Sequence, residues 1–275
     1  MPTFFDVIKK VLDRAYKDID ASDKDTKITE QLGALSKRYN DILVKGGPDY
    51  EDEVTRFAYV FRYSTAHAEY LNGAIGWSPD LRAALKREQI YITCIGGGPG
   101  SDVLGFVKFF LSNKDRPKLT YFVLDKEQGW VETWADVDAI VSDELQTSRN
   151  FITVDVTDKP AYEKLKKPFE ADIFTLIYFL SEIFKFKKTA EPFFTHCFSK
   201  MKKGALFVVI DFRDDDLQGW IDSLAEDSGL ETLETAETRT HMGSDEEKTV
   251  LADFIKKFGS PKLQASVMFR VYRKT

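Results

Sequence analysis

One stretch of this chain, residues 89–101 with the sequence QIYITCIGGGPGS, most constrains its fold. Residues 90–93 are β-branched and aromatic, which predicts a buried strand. Glycines follow directly, and the apolar run over residues 103–110 predicts a helix. Glycines let the backbone approach a ligand closely, and a helix N-terminus offers free N–H groups with a partial positive charge. Strand, glycine turn and helix in this order predict a nucleotide-binding element.

The glycines of this turn can be compared with two known patterns. The dinucleotide fingerprint G-x-G-x-x-G would need a glycine at position 101, which is Ser101. The pattern G-x-G-x-G is met by Gly96, Gly98 and Gly100, and it resembles the first motif of the class I S-adenosylmethionine (SAM) methyltransferases. In that family the loop wraps the amino-acid end of SAM. The family usually has an acid two residues before the first glycine, where this chain has Cys94.

The chain divides into two regions that differ in the periodicity of their apolar residues. Residues 1–88 carry helical patterns and no clear strand, and we predict that they form a helical lid. In residues 89–275 strands alternate with helices, which predicts an α/β fold with a parallel sheet. The resemblance implies that this sheet is Rossmann-like, seven-stranded and mostly parallel, with helices on both faces. The predicted strands are residues 90–93, 119–124, 151–154, 171–180 and 205–210, with 263–273 closing the sheet antiparallel.

Acidic residues end two of these predicted strands. Asp125 closes the second strand, where a carboxylate accepts the hydroxyls of a ribose in nucleotide-binding α/β folds. Asp155 closes the third strand and is followed by Val156. The resemblance implies that Asp125 binds the ribose of SAM and that Asp155 and Val156 bind the adenine. For either acid the alternative is a helix cap or a turn residue.

A mixed aromatic and basic segment, residues 56–67, lies in the third predicted helix. We predict that this helix covers the nucleotide site with a polar edge, including Arg62, facing the ligand. The alternative is a core of aromatic side chains with snorkelling arginines. The candidate cofactor-binding residues are Gly96, Gly97, Gly98, Gly100, Asp125, Asp155, Val156, Tyr178 and Arg62.

The end of the fourth predicted strand bears on the reaction type. It lacks the Asn/Asp-Pro-Pro-Tyr/Phe motif of DNA and RNA amino-methyltransferases, so methylation of an exocyclic amine is not favoured. It offers Ser181 and Glu182, beside Tyr178, as candidate catalytic residues. Glu182 would orient or deprotonate a nucleophile beside the SAM methyl group. The alternative for Glu182 is helix capping after the strand.

Composition narrows the class of protein further. Cys94 and Cys197 do not make a disulfide framework, which predicts a reduced intracellular protein of the cytoplasm or nucleus. No apolar run reaches the roughly 18–20 residues of a membrane span. The three histidines are isolated, and no Cys/His/Asp cluster has metal-ligand spacing, so we predict no metal site.

Positive charge is concentrated in the stretch from Lys159 to Lys203, which has ten lysines and five acids within a chain of net charge -6. If these lysines converge beside the fourth strand, they would bind phosphates and position RNA beside the methyl donor. The alternative is a set of scattered, solvated helix ends.

The predicted function is therefore that of a SAM-dependent methyltransferase, an enzyme of EC 2.1.1 type, with RNA slightly favoured over a small molecule as acceptor. The segment Cys94 to Gly98, followed by an apolar helix, is also similar to putative SAM-dependent methyltransferases of fungi, a group that includes ribosomal RNA uridine methyltransferases. The main alternative is a non-catalytic SAM-binding sensor or scaffold protein.

Overall fold

The computed structural model describes residues 4–20, 22–142, 145–241 and 246–275. Seven strands form one sheet in the order β3-β2-β1-β4-β5-β7-β6. The strands are β1 Gln89–Ile95, β2 Lys118–Asp125, β3 Thr147–Thr153, β4 Ile173–Ile177, β5 Leu206–Phe212, β6 Leu230–His241 and β7 Gln264–Lys274. Strands β1 to β5 pair in parallel, whereas β7 pairs antiparallel with both β5 and β6. The predicted seven-stranded, mostly parallel sheet is confirmed.

The described residues before β1 form helices joined by loops, and they include no strand. The helices are α1 Phe4–Asp18, α2 Lys24–Asn40, α3 Ile42–Lys45, α4 Glu53–Tyr59, α5 Thr65–Trp77 and α6 Pro79–Ala84. A π-helical turn, Val60–Ser64, separates α4 from α5. Such turns often occur at functional sites, and this one interrupts the aromatic segment that the sequence predicts as one α-helix.

Helices on both faces of the sheet connect its strands, as predicted. After β1 they are α7 Ser101–Ser112, α8 Trp130–Val141, α9 Lys159–Tyr162, α10 Leu180–Ile183, α11 Lys187–Lys200, α12 Asp215–Asp227, α13 Glu246–Val250 and α14 Ala252–Phe258. Among the described residues, no helix is both long and apolar enough to cross a membrane.

Alternating side chains of the central strands divide the core between the two faces of the sheet. Ile173 and Ile177 of β4 pack in one cluster with the N-terminal helices, whereas Phe174 and Leu176 pack in the other with α11 and α12. Gly105 of α7 lets α5 approach closely, since a Cβ there would lie 2.8 Å from the carbonyl oxygen of Ala68. The N-terminal helices are thus part of one core with the sheet.

Three strand predictions differ from the structure. The third predicted strand, residues 151–154, begins too late, since β3 runs Thr147–Thr153. The fourth predicted strand, residues 171–180, is too long: β4 ends at Ile177 because Tyr178 turns the chain with a φ of 53° and Leu180 begins α10. No strand is predicted over residues 230–241, where the structure has β6. This edge strand exposes much of its surface, so its sequence is mostly Glu and Thr and lacks an apolar stripe.

Candidate functional site

The strand order reverses between β1 and β4, so their carboxyl ends leave a crevice of the kind that binds ligands in open α/β sheets. A cleft of about 400 Å³ opens at this edge. The sheet side of the cleft is formed by Gly96, Gly98, Pro99, Asp125, Lys126, Trp130, Val154, Asp155, Val156, Thr157, Tyr178, Phe179, Glu182, Ile183 and Phe186. The side formed by the N-terminal helices consists of Arg38, Lys45, Gly47, Pro48, Asp49, Tyr50 and Tyr59.

The glycine loop forms the floor of the cleft. Gly96 has a φ of 64°, and a Cβ at this position would collide with the ring of Phe179. Gly98 has a φ of 36°, and a Cβ there would point at Trp130 and the Asp125 carboxylate. Gly96 is therefore required both by its positive φ and by the close approach of the Phe179 ring, whereas Gly98 is favoured by its positive φ.

Gly97 and Gly100, the other two predicted glycines, shape the loop without lining the cleft. A Cβ on Gly97 would meet Cys94 at 2.8 Å on the core side. Gly100 has a φ of 83°, and its carbonyl oxygen accepts a hydrogen bond from the Leu104 amide at the start of α7. These two residues place Gly96 and Gly98.

Asp125 lines the cleft at the end of β2, as predicted. One carboxylate oxygen accepts a hydrogen bond from the Gly98 amide (3.0 Å) and the other accepts one from the Glu127 amide (2.9 Å). Burial raises the pKa of Asp125 to about 6, while these two hydrogen bonds oppose the rise. The side chain is thus an ionised acceptor at neutral pH, with its free lone pairs available to the cleft.

Asp155 and Val156 also line the cleft, at the end of the neighbouring strand. The Asp155 carboxylate accepts hydrogen bonds from the amide (2.8 Å) and the hydroxyl (2.6 Å) of Thr157. This is the turn role that the sequence leaves open for Asp155. The turn places the side chain of Val156 beside the cleft, where it offers an apolar wall.

Glu182, the predicted catalytic carboxylate, lies where the sheet meets the N-terminal region. Its Oε1 atom accepts hydrogen bonds from the hydroxyls of Tyr39 and Tyr50, both at 2.7 Å. Burial raises the pKa of Glu182 to about 7, with further rises from Asp125 and Asp211, whereas the two tyrosine hydrogen bonds lower it. A carboxyl group with this pKa exchanges a proton readily near neutral pH.

Ser181 and Arg62, in contrast, are not brought into the cleft. Ser181 is fully buried, and its amide donates a hydrogen bond to the Asp211 carboxylate (3.0 Å). The Arg62 guanidinium lies in the π-helical turn and donates to the Ser260 carbonyl oxygen (2.6 Å), away from the glycine loop. Neither side chain lines the cleft, because the turn after β4 directs Ser181 inward and the π-helical turn directs Arg62 to a loop.

Tyr178 occupies the sharp turn that ends β4 and lines the cleft, as predicted. A φ of 53° is unusual for a residue with an aromatic side chain. The ring stacks on His67 of α5, with centroids 4.0 Å apart and planes 9° apart. This stacking fixes the ring where the N-terminal helices contact the sheet.

Several residues of the cleft are missed by sequence reasoning. Tyr50 and Lys45 line the cleft and Tyr39 contacts Glu182 beside it, but in the region predicted as a lid the sequence indicates only Arg62 as a ligand. Trp130 carries only a helix pattern. The aromatic content of residues 56–67 is the available signal, and it does indicate Tyr59. Among the residues that the structure describes, no three His, Cys, Asp or Glu side chains are grouped to hold a metal ion.

Comparison with solved structures relates this architecture to known proteins. An O-methyltransferase family protein from Burkholderia thailandensis aligns with a TM-score of 0.51 at 11% identity, covering 94% of this chain and 74% of that one. A SAM-dependent methyltransferase from Methanosarcina mazei aligns with a TM-score of 0.48 at 12% identity, covering 72% of this chain and 97% of that one. The first alignment shows that this chain has the Rossmann-like fold of class I methyltransferases.

Comparison of the sequence with family models and with curated proteins finds no relative. No family model matches the chain, and no curated protein matches it. The likeness to the fungal ribosomal RNA methyltransferases is not shown by these comparisons and rests on the glycine loop and the missing Asn-Pro-Pro-Tyr motif.

Proposed function

We propose that this chain is a SAM-dependent methyltransferase. The observation that carries the proposal is the position of Asp125. This hydrogen-bond acceptor lies at the end of β2, and its carboxylate accepts a hydrogen bond from the Gly98 amide of the glycine loop. This arrangement lies at the topological switch point of a sheet with the class I methyltransferase fold. Nucleotide ligands bind at that place through a ribose-binding carboxylate.

The residues around the cleft fit SAM. Asp125 would accept the ribose hydroxyls, Asp155 and Val156 would flank the adenine, and the loop from Gly96 to Gly98 would take the methionine part. A Cβ at Gly96 would collide with Phe179, so the close contact of this loop with the Phe179 ring is possible only with glycine. When bound, SAM supplies a methyl group on a positively charged sulfur.

Glu182 is the proposed catalytic residue. With a pKa of about 7 it is partly ionised at neutral pH and accepts the proton that the methyl acceptor loses. Tyr39 of α2 and Tyr50 of the loop before α4 hold its carboxylate in one orientation, which supports a lid role for the N-terminal region that carries them. Positioning the two reactants supplies much of the remaining rate enhancement.

RNA is the acceptor class that we favour, with a small molecule as the alternative. The stretch from Lys159 to Lys203 divides in the fold: Lys185 and Lys188 follow β4 on the cleft side, whereas Lys202 pairs with Asp172 at the opposite edge of the sheet. Support for RNA therefore comes from the cations that line the cleft, which are Arg38, Lys45 and Lys126. A location in the cytoplasm or nucleus stays a prediction.

A non-catalytic SAM sensor is the second candidate, because Glu182 is the only member of the predicted catalytic pair that lines the cleft. Methyl transfer from tritiated SAM into the RNA, protein and small-molecule fractions of a cell extract distinguishes the two. We expect label in one fraction with the wild-type protein and none with Glu182→Gln, while both proteins bind SAM. SAM binding without label in any fraction would favour the sensor, and absence of SAM binding would refute both.

A further inference from the structure

A second cavity, of about 240 Å³, lies beside the cofactor cleft. It is formed by Tyr39, Asn40, Tyr63, Ala66, His67, Tyr70, Tyr178, Phe212, Lys262 and Ala265. Tyr178 lines both spaces, so the two adjoin at this residue. Tyr39 of the second cavity also donates a hydrogen bond to Glu182 of the cleft. A group held in this cavity would therefore lie next to whatever occupies the cleft.

The walls of the cavity include three aromatic rings whose planes are nearly parallel. His67 is stacked on Tyr178, and Tyr63 lies 5.9 Å from His67 with its plane rotated by 21°. Burial, with a contribution from Lys262, lowers the pKa of His67 to about 3, so the imidazole is neutral. Flat and mostly uncharged walls suit a planar ring, which gains area and stacking contacts.

The polar groups of the cavity favour negative charge on that ring. Lys262 stands at its rim, with the ammonium group 5.9 Å from the Tyr63 ring centroid. None of the described lining residues carries a carboxylate. The Tyr178 hydroxyl is buried and has no hydrogen-bond partner among the described residues, so it is available as a donor.

We infer that this cavity is the acceptor subsite and that it takes a planar aromatic ring whose edge carries an ionised oxygen or nitrogen. The inference rests on the proposed methyltransferase function. The ring first loses its O–H or N–H proton to Glu182 or to water. A lone pair of the resulting anion then forms a bond to the methyl carbon, while the electrons of the broken carbon–sulfur bond stay on sulfur. Lys262 and the Tyr178 hydroxyl stabilise the anion before transfer.

The test uses 4-nitrophenolate, a planar anion whose visible absorption shifts on leaving water, and protein saturated with S-adenosylhomocysteine. Ala265→Phe fills the cavity from β7 without removing a polar group. Ser266→Phe is the matched control, because the next residue of a strand points to the opposite face and Ser266 is exposed. We expect Ala265→Phe to weaken 4-nitrophenolate binding about tenfold or more, with Ser266→Phe behaving as wild type.

A second variant tests the charge. Lys262→Met should weaken binding of 4-nitrophenolate about tenfold and leave binding of 4-nitroaniline, a neutral ring of similar size, unchanged. Equal loss for both rings would overturn the role of Lys262 as the anion partner.

The outcomes separate this inference from the proposed function. Failure of 4-nitrophenolate to bind a protein that binds S-adenosylhomocysteine overturns the subsite and leaves the cofactor site standing. Failure of S-adenosylhomocysteine to bind refutes the proposed function itself. Displacement of 4-nitrophenolate by a short oligouridylate more strongly than by free uridine would assign the ring to a base in RNA. Equal displacement would assign it to a free small molecule.

Discussion

Replacing Glu182 by glutamine should stabilise the protein at alkaline pH while reducing its activity. Glutamine keeps an oxygen that accepts the Tyr39 and Tyr50 hydrogen bonds, but it removes a buried charge. The rise of the Glu182 pKa from 4.5 to about 7 corresponds to about 3 kcal/mol at 1.36 kcal/mol per pH unit. Because the side chain is partly exposed, solvent screens some of this cost, and we expect a gain of about 1–3 kcal/mol.

The sign of this effect depends on pH. Between pH 4.5 and about 7 the folded state keeps a proton on Glu182 that the unfolded state releases, so the free energy of unfolding falls as pH rises through this window. Above about pH 7 the wild-type protein is destabilised by the full cost of burying an ionised carboxylate, whereas Glu182→Gln has no such charge. The gain should therefore be present at roughly pH 8 and absent near pH 4.5.

Urea unfolding at the two pH values measures this difference, with Glu170→Gln, at an exposed position, as the control. In parallel, the rate of methyl transfer should fall about 10²-fold or more, as for loss of a general base. An equal change in stability at both pH values, or no gain at alkaline pH, would refute the argument that burial of this carboxylate sets its pKa.

Three further predictions concern single residues in or beside the cleft. Asp125→Ala should weaken SAM binding by about 1–3 kcal/mol in isothermal titration calorimetry, and unchanged affinity in a folded variant would contradict the ribose role. Gly96→Ala should lower the free energy of unfolding by about 1–3 kcal/mol, because φ is 64° and the new Cβ meets Phe179. The control Gly219→Ala, in the open middle of α12, should raise it by about 0.5–1 kcal/mol. Tyr39→Phe removes a hydrogen bond that lowers the Glu182 pKa, so the pH of half-maximal methyl transfer should move upward; a downward move would show that the hydroxyl does not stabilise the carboxylate.

The sheet and the glycine floor could be predicted from the sequence because both are encoded locally. An apolar run followed directly by glycines defines β1 and its turn, and Asp125 ends the next apolar run. The structure places Asp125 and Glu182 in one cleft because parallel strands bring their carboxyl ends to the same edge.

The contribution of the N-terminal helices could not be predicted in this way. Tyr39 and Glu182 are 143 residues apart, and no periodic pattern specifies that they meet. Arg62 is assigned to the cofactor because its segment mixes aromatic and basic side chains, yet the π-helical turn directs it to Ser260. Contacts of this kind depend on tertiary packing, which local sequence does not determine.

The hydrogen bonds from Tyr39 and Tyr50 to Glu182 make the two halves of the chain depend on each other thermodynamically. A ligand that touches both walls of the cleft binds only while the N-terminal helices are docked. Its binding free energy is therefore added to the cost of opening those helices. Protection of their amides from hydrogen exchange would then rise with ligand concentration, so residues far from the glycine loop would report how much of the protein is occupied.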